Sequence, residues 1–77
     1  MDADNLVRMV NRIGEFFQAF PDRAEAKDGI AQHLRKFWEP RMRRALYVHI
    51  DTAGGGELLP LVREAVLEQR TLLMPPD

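Results

Sequence analysis

Residues 5–20 read NLVRMVNRIGEFFQAF, a stretch whose apolar side chains recur with the period of an α-helix. The recurring positions, at spacings of four, three, four and three, are Leu6, Val10, Ile13, Phe17 and Phe20. Met9 and Phe16 widen this apolar stripe on one side and Val7 widens it on the other. Asp4 is the predicted N-cap. The apolar arc covers close to half of the helix, so we expect more than one neighbour to pack against it.

A second helix is predicted to begin at Asp22, because an acid that precedes Glu25 by three residues resembles a capping pair. Gly29 is costly inside a helix and indicates a close helix contact. Pro40 predicts that this helix ends near residues 38–39. The predicted inward face comprises Ala26, Ile30, Leu34 and Phe37, with Ala31 and Trp38 at its margin.

The remaining chain predicts two further helices. The third presents one apolar arc, while Arg44 and Tyr47 face away from it. That arc comprises Met42, Ala45, Leu46, His49 and Ile50, edged by Arg41 and Arg43. A flexible joint at 53–56 precedes the last helix, which starts near Pro60 and folds back through Leu58, Leu61, Val62, Ala65 and Val66. Residues 71–77 are predicted to be a flexible tail, although its apolar cluster Leu72, Leu73 and Met74 also suits docking.

The predicted fold class is therefore all-α, a small bundle of three to four helices with a Gly-rich joint before the last one. The expected helices span about 4–20, 22–38, 40–51 and 59–70 in a single domain of residues 1–77. Only ten of the 77 residues are Val, Ile or Thr, and no long alternation of apolar and polar residues indicates a strand.

Composition limits the function classes. A chain of 77 residues has room for one small domain, and without cysteine it cannot use disulfides to reinforce a small core. Docking on a larger partner or self-association is the expected compensation. The net charge is −1, so the whole domain does not attract nucleic acid. No signal sequence and no long apolar run is present, which predicts a soluble cytoplasmic protein without membrane contact.

Catalytic, cofactor and metal sites are not expected on this chain. Serine and cysteine are absent, and His33 and His49 lie sixteen residues apart, a spacing that does not suit a zinc site. The glycines at 54–56 are followed by Glu57 and Leu58 rather than by the lysine and hydroxyl of a phosphate-binding loop. A connector between helices explains them better.

Residues 33–44 read HLRKFWEPRMRR and combine five Lys or Arg residues with the only tryptophan. Arginine and tryptophan are frequent at the centres of protein interfaces, so the segment is typical of a docking patch. Two other interpretations stay open at this point. Phe37 and Trp38 fit equally well in the core beside solvated cations, and a basic turn is also compatible with nucleic-acid binding.

The segments at 5–23 and 29–46 (GIAQHLRKFWEPRMRRAL) together resemble the delta subunit of NAD-dependent, molybdenum-containing formate dehydrogenase. The later LVREAV segment at 61–66 is consistent with that family. The resemblance implies a small accessory subunit of a soluble bacterial complex that oxidises formate to carbon dioxide and passes electrons to NAD. It also implies that the molybdenum, iron–sulfur, flavin and NAD sites lie on other subunits. The absence of cysteine agrees, since thiolates are the main ligands of iron–sulfur clusters.

The leading hypothesis is a non-catalytic helical subunit that docks on the formate dehydrogenase catalytic subunits. The predicted partner-binding residues are Arg35, Lys36, Trp38, Arg41, Arg43, Arg44 and Tyr47. One alternative is an assembly chaperone that binds the immature large subunit and aids cofactor insertion. Another is an independent dimeric adaptor or nucleic-acid-binding protein, which the wide apolar arc of the first helix and the basic turn would serve.

Overall fold

A computed structural model describes residues 2–76, and its regular structure is helical throughout that range. The five helices are α1 (Ala3–Phe17), α2 (Arg23–Phe37), α3 (Pro40–Ala53), α4 (Pro60–Glu68) and α5 (Arg70–Leu73). The predicted all-α bundle is confirmed. The first predicted boundary is wrong at its end, because α1 stops at Phe17 and residues 18–22 form the turn into α2.

Capping residues and prolines explain where the helices begin. The first cap is Asp2 rather than the predicted Asp4, since the Asp2 carboxylate accepts the backbone N–H of Asp4 at 3.0 Å. Asp22 caps α2 as predicted and accepts the N–H groups of residues 24 and 25. Pro40 and Pro60 occupy the first positions of α3 and α4, where the missing N–H costs nothing.

The joint before α4 is a packed turn, which differs from the predicted flexible connector. Gly54 ends α3 with φ +90, and Gly55 follows with φ +68, a left-handed backbone that favours glycine. Gly55 is buried, and a Cβ there would lie 3.3 Å from Ile50. Asn11 also holds this turn, because its amide donates to the carbonyl of Glu57 at 3.0 Å and accepts the N–H of Leu59 at 2.9 Å.

Helix α1 packs against three neighbours, α2, α3 and α4, as its wide apolar arc predicts. Gly14 lets α4 approach closely, since a Cβ at that position would stand 2.3 Å from Val62 Cγ2. Gly29 has the close helix contact predicted for it, because its Cβ would meet the Phe17 ring at 2.3 Å. The core between the helices is formed by seventeen buried apolar residues, and no polar or charged residue of the described range is buried with them.

The inward faces of α2 and α3 differ from the predicted ones. Phe37, predicted inward, is 71% exposed, whereas Trp38 is 5% exposed. Trp38 has an extended backbone (φ −89, ψ 132), and this change of direction at the end of α2 turns the indole into the core. Tyr47, predicted to face away, is 1% exposed because α4 covers it. A helical wheel drawn for α3 alone does not include the contact with α4.

The predicted flexible tail is also different in the structure. Residues 70–73 form α5, and Leu73 is 1% exposed while Pro75 is buried. Of the apolar cluster that would be unpartnered in a frayed tail, Leu73 therefore belongs to the core and Met74 packs against it. Asp77, the last residue of that predicted tail, lies outside the described residues.

No helix within residues 2–76 combines the length and apolar character that crossing a bilayer requires.

Candidate docking surface

The predicted patch at residues 33–47 divides into buried and exposed side chains. Trp38 and Tyr47 belong to the core, as described above, and are only 5% and 1% exposed. Arg35, Lys36 and Arg41 are exposed on α2 and at the start of α3. The seven predicted residues are close together in sequence, but they do not form one exposed surface in the structure.

Tyr47 is the best-defined polar contact of the core. Its hydroxyl donates to the carbonyl oxygen of Val66 at 2.7 Å, and the Arg70 guanidinium lies 4.8 Å from the ring centre. Burial raises the pKa of Tyr47 to about 12, although the nearby Arg70 and Arg43 oppose that shift. Both carboxylate oxygens of Asp51 accept hydrogen bonds from the Arg70 guanidinium, and the bond from Nη1 to Oδ1 is 3.0 Å long. The tyrosine thus joins α3 to the end of α4.

Arg43 and Arg44 point to the C-terminal segment. Arg43 Nη1 donates to the carbonyl of Leu73 at 3.2 Å, and its buried Nε has no hydrogen-bond partner within the described range. Arg44 Nη2 donates to the carbonyl of Pro76 at 3.0 Å. Both guanidiniums are half-buried and partly occupied by these contacts. They are less available to a partner than the exposed cations.

An apolar groove of about 450 Å³ lies between α1, the end of α2 and the start of α3. Its apolar wall, which defines the groove below, consists of Met9, Ile13, Phe37, Trp38 and Met42. Arg12 and His33 form its edges, and the His33 and Phe37 rings lie 4.8 Å apart. Phe16, one helical turn beyond Arg12, is 66% exposed on the same side of α1. Trp38 reaches the groove only with the small exposed fraction of its indole.

Charge is distributed unevenly around the bundle. On one side, Arg23 and Lys27 of α2 pair with Glu64 and Glu68 of α4, with the Lys27–Glu68 contact at 3.0 Å. Glu64 has its pKa lowered mainly by its hydrogen bond from Arg23.

The cations near the groove are different. Within residues 2–76, no carboxylate pairs with Arg8, Arg12, Lys36 or Arg41. Arg8 instead donates to the Asn5 side chain at 3.2 Å. Arg12 lines the apolar groove and Arg8 lies beside Met9, so the α1 edge of the groove carries two cations that form no ion pair within the described range.

The histidines differ in their surroundings. His49 Nε2 lies 3.0 Å from Glu57 Oε2, an acid partner that the sequence did not reveal. The pKa of Glu57 is lowered, first by its own backbone N–H and then by the hydrogen bond with His49. Across residues 2–76, no cluster of three or more His, Cys, Asp or Glu side chains is placed to hold a metal ion.

The groove residues were only partly evident from the sequence. Met9 and Phe16 were recognised as the excess of the α1 arc, whereas Arg12 and Met42 were assigned no surface role. The width of the apolar arc on α1 pointed to Met9 and Phe16. It gave no indication of Arg12 or Met42. Phe37 gave no such signal, because its spacing matches the inward face of α2.

Comparison with known families finds one match that covers most of the chain. The matching family is described as the NADH-dependent formate dehydrogenase delta subunit, FdsD, and the match extends over residues 5–66. It includes nearly all of α1, all of α2 and α3, the turn after α3, and α4 as far as Val66. Searches among curated proteins and among solved structures found no match. Because that match covers far more than half of the 77 residues, this chain belongs to the delta-subunit family of NADH-dependent formate dehydrogenase.

Proposed function

We propose that this chain is a non-catalytic accessory subunit that remains bound to the catalytic subunits of formate dehydrogenase and supports the assembly or stability of the complex. The observation that carries this proposal is the family match over residues 5–66, which includes every residue of the predicted docking patch. The proposed complex is cytoplasmic, as the family resemblance implies.

The side-chain chemistry supports an accessory role. The sequence has no cysteine or serine that could act as a nucleophile, and thiolates are the usual ligands of iron–sulfur clusters. We therefore propose that the molybdenum, iron–sulfur, flavin and NAD sites all lie on partner subunits. The contribution of this chain is a rigid surface.

The exposed cations are the proposed partner contacts of the predicted patch. Arg35, Lys36 and Arg41 are accessible and can meet carboxylates of a partner surface. Arg43 and Arg44 hold the C-terminal segment, so we propose that they contribute to docking mainly by placing it. Trp38 contributes by filling the core at the turn from α2 to α3, and Tyr47 contributes by joining α3 to the end of α4.

The test is purification of the complex through a tag on this chain, from cells that also express the catalytic subunits. We expect the chain to be recovered with the catalytic subunits in a fixed ratio, together with formate-dependent reduction of NAD. The isolated chain should show no such activity. Recovery of a fully active complex that lacks this chain, from cells that contain it, would contradict a resident subunit.

The molybdenum content separates a resident subunit from an assembly chaperone. A chaperone would be missing from the purified active complex, yet deletion of its gene would lower the molybdenum content of the large subunit. A resident subunit that acts by stabilising the complex would leave molybdenum insertion unchanged and would shorten the activity half-life of the complex on heating.

A further inference from the structure

We propose that the apolar groove between α1, α2 and α3 receives an acidic amphipathic helix of a catalytic formate dehydrogenase subunit. This inference rests on the proposed function and specifies the contact through which the subunit binds.

Phe37 and Met9 line this groove with exposed apolar surface, and Phe16 lies beside it, beyond Ile13 on the same side of α1. Phe37 and Phe16 are 71% and 66% exposed, and Met9 is 38% exposed. Large aromatic side chains are commonly the anchors of protein interfaces, and methionine adapts its shape to a partner. A groove of about 450 Å³ lined in this way therefore favours apolar side chains of a partner over water.

The spacing along α1 favours a helical partner. Met9, Ile13 and Phe16 lie at positions i, i+4 and i+7, which present one stripe along about two helical turns, or roughly 10 Å. A partner helix has the same repeat, so its own i, i+3 or i+4 and i+7 side chains can follow that stripe. Phe37 and Met42 line the opposite side of the groove in which that helix would lie.

The border charges favour an acidic partner. Arg8 and Arg12 lie one turn apart at the edge of α1 beside the groove, and Lys36 and Arg41 are exposed on α2 and α3. Asp4 and Glu15 lie on the same side of α1 as its two arginines, but neither lines the groove and neither forms an ion pair within the described range. Glu39, in the turn between α2 and α3, is exposed and pairs with no cation of the described range. Arg12 lines the groove, Arg8 lies with it in the adjoining hollow beside Met9, and no carboxylate of the described range lines either, so acids flanking the partner's apolar stripe would complement this edge.

The same charges disfavour a second copy of this chain as the occupant. A two-fold dimer brings the same surface of both copies together. Here that arrangement would bring Arg8 and Arg12 of both copies into one interface. Like charges at an interface weaken association, so the groove suits a different chain.

The first test measures binding to purified catalytic subunits that lack this chain. The double variant Phe16→Ala/Phe37→Ala should weaken binding by at least about tenfold, because it removes the two most exposed anchors. Leu67→Ala is the matched control, since Leu67 is an apolar residue of α4 that is 38% exposed and does not line the groove. We expect it to change binding by less than about twofold.

A charge-reversal pair tests the acidic nature of the partner. Arg8→Glu/Arg12→Glu should weaken binding roughly tenfold at low salt, and the difference from the wild type should shrink at high salt. Arg63→Glu, at an exposed cation of α4, should have a much smaller effect. Circular dichroism melting of every variant shows whether its fold is retained.

Photo-crosslinking identifies the occupant directly. A benzophenone amino acid placed at position 16 or 37 should crosslink to a catalytic subunit, and mass spectrometry should locate the bond in a helical segment with Asp or Glu beside its apolar residues. Crosslinks to a second copy of this chain, to a segment without acids, or to nucleic acid would overturn the proposal.

The two proposals fail in different ways. If the wild-type chain does not bind the catalytic subunits at all, the accessory function is wrong and the groove inference falls with it. If the wild type binds and the folded groove variants bind equally well, only the groove inference is wrong, and the contact lies elsewhere on the subunit.

Discussion

Tyr47 shows how one side chain connects the predicted docking patch to the stability of the bundle. It lies in the middle of α3, and its hydroxyl bonds to a carbonyl near the end of α4. Since its ring is buried, the residue stabilises the fold that presents the groove rather than touching a partner itself.

Replacing Tyr47 with phenylalanine should destabilise the protein by about 1–2 kcal/mol, because the buried carbonyl of Val66 loses its donor. Urea denaturation followed by circular dichroism measures this change. A much smaller value would mean that water or another donor replaces the hydroxyl.

The same residue predicts a pH dependence. Its pKa is about 12 in the folded state, above the ordinary value of 10, so the folded chain holds the phenolic proton more tightly than the unfolded chain. That contribution to stability is complete below pH 10 and is lost as the pH rises through 12. The wild type should therefore lose more stability than Tyr47→Phe between pH 10 and pH 12 in parallel urea titrations, and equal losses would contradict the assignment.

At the scale of elements, the crossing of α1 and α4 depends on a glycine. Gly14 is buried, and the Val62 methyl that a Cβ would meet belongs to a fully buried side chain. The two helices are therefore closer at this point than side chains larger than hydrogen permit.

Gly14→Ala should destabilise the fold by about 1–3 kcal/mol, because overpacking at the crossing outweighs the gain of about 1 kcal/mol in helix propensity. The matched control is Gly56→Ala, at a position with no heavy atom within 4 Å of the added Cβ. Thermal melting compares them, and a stabilised Gly14→Ala variant would show that α4 can move away at little cost.

Helix α5 extends the bundle beyond the region matched by the family. Leu73 fills a core position after residue 66, where the match ends, and Arg43 donates to its carbonyl. The short helix therefore closes one end of the core.

Leu73→Ala should cost about 2–5 kcal/mol of unfolding free energy, as expected for a buried leucine truncation. Leu67→Ala, at a position that is 38% exposed, should stay within about 1 kcal/mol of the wild type. Equal effects of the two changes in urea denaturation would mean that the C-terminal segment is frayed in solution.

At the scale of the whole molecule, the net charge is only −1, although several cations of the described range form no ion pair. The ion pairs of α2 with α4 occupy one side, whereas the cations around the groove and the predicted patch have no paired carboxylate in the described chain. Exposed cations without an internal ion pair can meet carboxylates on another molecule.

The variant Arg35→Glu/Lys36→Glu/Arg41→Glu should slow association with the catalytic subunits, with the largest effect at low salt. Stopped-flow or surface-based kinetics gives the association rate. Arg63→Glu serves again as the control, and an unchanged rate for the folded triple variant would remove these cations from the encounter.

The sequence alone determined the helical class, the Asp22 cap, the proline starts of α3 and α4, and the family. These features depend on local backbone preferences and on short motifs, which neighbouring residues specify. The wide apolar arc of α1 also indicated in advance that several helices pack against it.

Only the tertiary structure decided which apolar residues are buried. The spacing of Phe37 and Trp38 did not reveal that an extended residue at the end of α2 exchanges their directions, and the wheel of α3 did not include the α4 contact that buries Tyr47. Leu73 becomes a core residue because residues 70–73 fold back as α5. Burial depends on neighbours that are distant in sequence, so one helix's periodicity identifies its apolar residues but not which of them the rest of the chain covers.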